Sequence, residues 1–434
     1  MNNMMRMFAR WPVRPNWVLA DQGIVSGSKF IAGVLVARFL GPEMFGVFVL
    51  MQMTQIYANG CQGALIISPM LVGAPRLEGT ERDNYLSGMF ALQIMLSVLL
   101  ALSIVVLVFA WQAISAHANP ELTRPTNLAG LIAALVTFQF QDWQRRCFFA
   151  TGRSRGACMI DAVNYLPQLL FIGVSGRSGF LSVNLTFWIM ALSSSVSFFA
   201  AHLVNRVRPG FRHGLNALRR EWKACRDYLL SWQIMWVGTQ GVLLIGTAFL
   251  GQQAIGGIRA TQNVMGPFTT LFQALDNVIP VNAAKRYSKS GMDGAIAYMR
   301  SVMVRGTVIL VPVIVGIAML GEPLTRLLYG ERYLAFAPLI GWQAATILSQ
   351  FYMNQLHYVF RVVSSTRSIF VSCCVAAIVS TLMTFLCARR YQATGMVAAL
   401  LCGTLAGLVC SMLLAVTLLK QRGSAQLVPA TEPT

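Results

Sequence analysis

Charged residues are scarce in this sequence. Only 11% of its 434 residues are Asp, Glu, Lys or Arg, whereas a soluble globular domain has about 25%. Hydrophobic residues make up 56% of the chain, and the mean hydropathy is +0.60. This composition excludes a large soluble protein and predicts a polytopic membrane protein.

Acidic residues are scarcer than basic ones. The chain has 15 Asp and Glu against 34 Lys and Arg, which gives a net charge of +19. A basic excess is typical of nucleic-acid-binding proteins, but here the basic residues lie in short segments between apolar spans. We therefore expect no nucleic-acid partner.

The sequence also lacks the motifs of catalysis and metal binding. It contains no P-loop, no G-x-S-x-G motif and no C-x-x-C pair, and its four histidines are scattered. Most of the nine cysteines lie inside apolar segments, where they act as small hydrophobic residues. We expect neither an enzyme nor a bound cofactor or metal. The missing P-loop also argues against ATP hydrolysis, so any work that the protein does would draw on an ion gradient, a membrane potential or the gradient of a substrate.

Long apolar windows make up most of the chain. Each is about 20 residues long, which is the length that a helix needs to cross a bilayer. Because membrane β-strands are much shorter, the windows predict an all-α protein. The twelve predicted spans are 17–40, 44–68, 85–110, 127–149, 157–175, 180–203, 227–250, 254–281, 301–320, 334–360, 367–387 and 393–419.

The basic residues are distributed unequally between the two sides of these spans. One side, which includes both termini, collects 25 Lys and Arg; the other has seven, and two lie within spans. The positive-inside rule then places both termini in the cytoplasm. The predicted organisation is a cytoplasmic segment (1–16), an N-lobe of six helices (17–203), a cytoplasmic linker with an amphipathic helix (204–226), a C-lobe of six helices (227–419) and a cytoplasmic tail (420–434).

The two lobes repeat each other in sequence. The stretch "FLGPEMFGVFVLMQ" (39–52) aligns with "FLGQQAIGGIRATQ" (249–262) at an offset of 210, and residues 139–154 align with 350–365 at an offset of 211. Six helices per half is an even number, so both halves have the same orientation. This predicts a parallel repeat about an axis along the membrane normal.

Three spans carry a polar stripe at helical spacing. The stripes belong to the first span, the second span and the eighth span, which is the repeat mate of the second. They suggest two lobes that face a shared hydrated cavity. The candidate substrate-binding residues are Lys29, Arg259, Gln22, Ser26, Gln52, Gln55, Asn59, Gln262, Asn263 and Gln273. The candidate ion-coupling residues are Asp21 and Asp276.

The charged residues on these stripes need partners or water, because charge in a bilayer is costly. Asp21 and Lys29 are about 12 Å apart along the helix axis and roughly 80° apart around it, too far for a close pair. They either line a hydrated path or pair with other helices for packing. For Arg259, the accompanying polar stripe favours a position in the lining of a cavity over a purely structural role. Asp142 and Asp161 are expected to pair with nearby arginines at the membrane interface, without a transport role.

The segment "DQGIVSGSKFIAGVLVARFLGPEMFGVFVL", followed by "QGALIISPMLVGAP", resembles the polysaccharide transporter branch of the MOP superfamily. These are Wzx-type flippases of O-antigen and exopolysaccharide biosynthesis. The motif covers about the first 75 residues, and the predicted two-lobe repeat extends the resemblance along the chain. Lipid II flippases of the same superfamily carry two additional helices, which favours a polysaccharide precursor here over a cell-wall precursor.

The resemblance implies translocation of an undecaprenyl-diphosphate-linked oligosaccharide from the cytoplasmic to the periplasmic leaflet of a bacterial inner membrane, by alternating access between the lobes. It implies contact with this lipid-linked substrate and with membrane lipids. Polysaccharide polymerase and chain-length proteins are candidate partners. An anionic, polyhydroxylated headgroup suits a cavity that contains Lys29, Arg259 and many amides.

Two other functions stay open at the level of sequence. A multidrug or toxic-compound cation antiporter of the same superfamily would use an acidic residue such as Asp21 or Asp276, but Lys29 and Arg259 argue for an anionic substrate. A membrane scaffold for polysaccharide enzymes would gain nothing from polar stripes within its spans.

Overall fold

The computed structural model describes residues 17–114, 120–362 and 365–426. Within these ranges the chain forms helices joined by short turns and contains no β-strand. The predicted segment 1–16 and residues 427–434 of the predicted tail lie outside the described residues. The helices are α1 (Trp17–Gln62), α2 (Ser68–Gly73), α3 (Gly79–Ile114), α4 (Pro120–Thr123), α5 (Pro125–Ala150), α6 (Ser154–Arg177), α7 (Val183–Asn205), α8 (Phe211–Trp236), α9 (Val242–Val264), α10 (Gly266–Met319), α11 (Gly321–Tyr329), α12 (Leu339–Val362) and α13 (Thr366–Gln426).

Several of these helices are too long for a single passage through a bilayer. The helical run Trp17–Arg76 has 60 residues, or about 90 Å at 1.5 Å per residue, against a hydrocarbon core of about 30 Å. Non-helical backbone at Gly41, Gly251, Gly291 and Gln392 interrupts the four long helices α1, α9, α10 and α13. These breaks divide the long helical runs into shorter stretches.

Divided at these breaks, and counted through the one-residue turn at Met265 between α9 and α10, the described residues form twelve long helical stretches, and each overlaps one predicted span. Seven helices of the described part are long and apolar enough to cross a membrane. The predicted all-α, multi-pass membrane fold is confirmed. The stretches are 17–40, 42–76, 79–114, 125–150, 154–177, 183–205, 211–250, 252–289, 292–319, 339–362, 366–391 and 393–426.

Some helix ends differ from the predicted ones for local reasons. The sixth span starts at Val183, because the Ser182 side chain accepts a hydrogen bond from the Leu185 N–H and caps the helix. The tenth starts at Leu339, after Pro338, which lacks the N–H that would continue the preceding turn. The predicted linker helix and the seventh span form one helical run from α8 through the π-turn Val237–Gly241 into α9.

The described chain divides into two compact units. The first unit comprises residues 17–35 and 54–232, and the second comprises residues 36–53 and 233–426. The middle of α1, residues 36–53, therefore belongs to the second unit, although the sequence assigns the whole of 17–203 to one lobe.

The core of the first unit is built around α5, which buries polar as well as apolar side chains. Trp143 is fully buried there, and Gln139 lies beside it in the same helix. The Gln139 amide donates to the Ala58 carbonyl and accepts from the Ser97 hydroxyl, at 3.2 and 2.7 Å. Gln62 donates to the Gln139 carbonyl at 2.8 Å. These bonds join three helices through groups that hydrocarbon would leave unsatisfied.

In the second unit, the two repeated stretches pack directly against each other. A Cβ placed on Gly46 would collide with the Gln252 carbonyl, and one placed on Gly256 would collide with the Pro42 carbonyl. Gly46 and Gly256, like Pro42 and Gln252, are related by the sequence offset of 210. The crossing is thus symmetric, and only glycine allows the backbones to approach so closely.

We expect Gly256→Ala to destabilise this crossing, since the added methyl group meets backbone that cannot rotate away. A loss of about 1–3 kcal/mol is typical of such overpacking. Thermal unfolding of the purified protein in detergent measures the effect. Gly316→Ala is the matched control: nothing lies within 4 Å of its Cβ position, so a helical alanine there should stabilise slightly. Equal melting temperatures for the two variants would contradict the close crossing.

Candidate functional site

A polar cavity lies within the first unit. Its volume is about 180 Å³, and its walls come from α1, α5, α6 and the turn that follows α1. A cavity this size holds several water molecules or one small polar group. Its lining residues are Lys29, Asn59, Gly63, Ile67, Phe138, Gln141, Asp142, Arg145, Arg146 and Tyr165.

Helix α5 supplies half of this lining because of its sequence spacing. The residues are Phe138, Gln141, Asp142, Arg145 and Arg146, at positions i, i+3, i+4, i+7 and i+8. This spacing places all five on one face of the helix.

Arg145 is the centre of a buried ion cluster in the wall of the cavity. Its guanidinium contacts the Asp21 carboxylate at 2.6 Å, the Asp161 carboxylate at 2.5 Å and the Asp142 carboxylate at 3.4 Å. The Asp21 and Asp161 side chains are almost completely buried, and Gln141 also donates to Asp161 at 2.8 Å. One arginine thus joins α1, α5 and α6 through three carboxylates.

Lys29 lies at the cavity without a carboxylate partner. No Asp or Glu oxygen of the described residues lies within 4 Å of its ammonium group. The Lys29 Nζ lies over the Phe138 ring, 5.9 Å from the ring centroid. The residue remains exposed, although it lies midway along the first helical stretch. Asp142, the nearest carboxylate in the lining, is already bound to Arg145 and Arg146. The cavity therefore presents an ammonium group that forms no ion pair with the described residues.

The other predicted residues of the first unit have different environments. Gln22 is exposed and donates to Ser26 at 3.4 Å. Asn59 lines the cavity, and its side-chain oxygen is buried without a hydrogen-bond partner among the described residues. The Gln55 side-chain oxygen is also buried without a hydrogen-bond partner among the described residues. Asp21 is buried in the Arg145 cluster, so its predicted role in ion coupling stays a prediction.

In the second unit, the polar stripe of α9 places two predicted residues in contact. Arg259 donates to the Gln262 side chain at 3.3 Å and has no carboxylate within 4 Å in the described part of the chain. Asn263 donates to the Tyr329 hydroxyl at 3.4 Å, and that hydroxyl donates to the Ala260 carbonyl at 2.9 Å. The stripe is thus held against α11.

The remaining predicted residues of the second unit are Gln52, Gln273 and Asp276. Gln52 is half-buried on α1, and Gln273 is exposed on α10. Asp276 forms an ion pair with Arg361 at 3.5 Å, with both side chains well exposed. That the candidate residues of both halves share one cavity stays a prediction.

Sequence reasoning missed most of the α5 face. It predicted arginine partners for Asp142 and Asp161, and that pairing is confirmed. However, the pairs form in the wall of the cavity, and their neighbours Gln141 and Tyr165 were not considered. The available signal was the helical spacing of four polar residues, Gln141, Asp142, Arg145 and Arg146, near the end of a span that was assigned to the interface.

Comparison with solved structures identifies the fold of the protein. The chain resembles the lipid II flippase MurJ in an inward closed conformation, with a TM-score of 0.70 and 12% identity over 91% of this chain and 87% of that one. It also resembles an inward-facing multidrug resistance MATE family transporter of the MOP superfamily, with a TM-score of 0.68 and 12% identity over 92% and 96% of the chains. A MOP superfamily transporter from Pyrococcus furiosus gives a TM-score of 0.61 and 11% identity over 93% and 94%. The protein thus has the MOP-superfamily fold.

Residues 35–338 match the model of the family described as polysaccharide biosynthesis protein. This match covers more than half of the chain, so the protein belongs to that family, and the resemblance found in the sequence is confirmed. A comparison with curated protein sequences found no match.

Proposed function

We propose that this protein is a flippase that moves undecaprenyl-diphosphate-linked oligosaccharide units across a bacterial inner membrane, for O-antigen or exopolysaccharide biosynthesis. The two lobes work by alternating access, both termini lie in the cytoplasm, and the protein transports rather than catalyses. The family membership and the fold support a role in polysaccharide biosynthesis within the membrane.

The pattern of charge pairing carries the proposal. Asp21 and Asp276, the two candidate carboxylates, are each bound to an arginine. Lys29 and Arg259 have no carboxylate partner among the described residues. The charges left unpaired on the polar stripes are thus positive.

Unpaired cations suit a diphosphate headgroup. Hydrogen bonds from an ammonium or a guanidinium to phosphate oxygens are among the stronger ones in proteins, and arginine binds phosphate through two donors at once. Amides such as Asn59 and Gln262 add donors and acceptors for sugar hydroxyls. A cationic drug would instead need an unpaired carboxylate, so this observation favours the flippase over a cation antiporter.

The test is the leaflet distribution of the lipid-linked oligosaccharide in a strain that lacks the gene. We expect the glycolipid to accumulate in the cytoplasmic leaflet, where it is protected from periplasmic enzymes that modify the glycan. Expression of the wild-type protein should restore the access of these enzymes to the glycan. An unchanged distribution in the deletion strain, combined with increased sensitivity to cationic drugs, would instead support the antiporter.

A further inference from the structure

The beginning of α8 has three separate faces, and the first packs on the protein. Gly214, Ala217 and Cys225 are buried. A Cβ on Gly214 would lie 2.8 Å from the Gly88 carbonyl, so the helix contacts α3 at very short range. The Gly210 N–H donates to the Ser87 carbonyl at 3.0 Å. These contacts fix the rotation of α8 about its own axis.

The second face is apolar and has no cover from the described chain. Phe211, Leu215 and Trp222 are 53%, 49% and 51% exposed. Their spacing of i, i+4 and i+11 places them in one stripe, next to the buried face. A helix surrounded by water would not keep three large apolar side chains exposed along one line.

The third face is a row of cations. Arg212, Arg219 and Lys223 are exposed, and their spacing of i, i+7 and i+11 forms a stripe about 80° from the apolar one. None has a carboxylate within 4 Å among the described residues, whereas Arg226, further along the helix, is bound to Asp227 at 2.9 Å. The row therefore attracts anions.

We propose that these two stripes form a docking surface for anionic phospholipid headgroups of the leaflet that α8 enters. The helix continues through Val237–Gly241 into α9, within a run that is apolar enough to cross a membrane. Its first turns therefore lie at the margin of the bilayer. There the apolar stripe enters the boundary of the acyl chains, and the cations meet the lipid phosphates.

The charge and the polarity favour lipid over a protein partner. Anionic headgroups complement three unpaired cations, and acyl chains cover an apolar stripe of any shape. The surface lies outside the cavity described above, so it is independent of the proposed transport reaction.

The test uses the full-length protein in lipid nanodiscs and the fluorescence of Trp222, obtained as the difference between the wild type and Trp222→Phe. Brominated phosphatidylglycerol and brominated phosphatidylcholine are compared as quenchers at equal lipid fraction. We expect the anionic lipid to quench at least about fivefold more effectively, which is the effect of a single one of the three cations near an anionic surface. The preference should decrease as salt is added.

The variant Arg212→Gln/Arg219→Gln/Lys223→Gln should lose this preference while both lipids continue to quench Trp222. The control Lys285→Gln/Arg286→Gln/Lys289→Gln removes three exposed cations from α10 and should retain it. Equal quenching by the two lipids in the wild type would overturn the proposal. So would quenching of Trp222 by aqueous iodide but by neither lipid.

Discussion

Arg145→Gln is expected to destabilise the first unit by on the order of 3–5 kcal/mol, the usual cost of removing one partner from a buried ion pair. Two carboxylates depend on this guanidinium. Asp21 and Asp161 are 2% and 1% exposed as side chains and lie at 2.6 and 2.5 Å from it. Without the arginine, both charges stay buried and uncompensated. We expect a large fall in melting temperature in detergent, or failure of the variant to accumulate in the membrane.

Arg146→Gln is the matched control for this prediction. Arg146 is the next residue, its side chain is 36% exposed, and it contacts Asp142 at 3.4 Å. Partly exposed pairs of this kind contribute about 0–1 kcal/mol. The triple variant Arg145→Gln/Asp21→Asn/Asp161→Asn removes the orphaned charges and should recover part of the loss. If Arg145→Gln and Arg146→Gln melt alike, the cluster does not hold the helices together.

Lys29→Gln is expected to reduce translocation by about 10- to 100-fold, because a charge-assisted hydrogen bond to the diphosphate is worth about 1.5–3 kcal/mol. Its stability should change little, since Lys29 is exposed and has no ion pair among the described residues. Lys29→Arg keeps the charge and should keep most of the activity. The measurement is the rate at which the lipid-linked oligosaccharide becomes accessible in the second leaflet of proteoliposomes.

Two companion variants show whether the effect belongs to the site. Arg259→Gln removes the unpaired cation of α9 and should also slow translocation. Lys289→Gln removes an exposed lysine of α10 and should not. Wild-type rates for Lys29→Gln and Arg259→Gln would refute the assignment of these residues, while the fold and the family membership would stand.

The helical architecture could be predicted from the sequence because it depends on local properties. Each span needs about 20 apolar residues and flanking polar segments, and both are visible in a short window. The repeat was visible for the same reason: "FLG" and the second glycine recur at one offset, and Gly46 and Gly256 meet in the second unit.

The candidate site was only partly predictable. The polar stripe of the first span indicated Lys29, and the stripe of the second span indicated Asn59; both line the cavity. The face of α5 was missed, because Asp142, Arg145 and Arg146 lie near the end of a span, where charged residues commonly face the membrane interface.

Composition, hydropathy and the recurrence of short sequence stretches determined that this is an all-α, multi-pass membrane protein with an internal repeat. Only the tertiary structure decided which charges are neutralised. Asp21 and Arg145 are 124 residues apart in the chain, yet their side chains are hydrogen-bonded, whereas Asp21 and Lys29 belong to the same helical stretch and do not pair. Hydropathy sums over neighbours in sequence, but an ion pair depends on a distance of a few ångströms between helices, and that distance is set by how the helices pack.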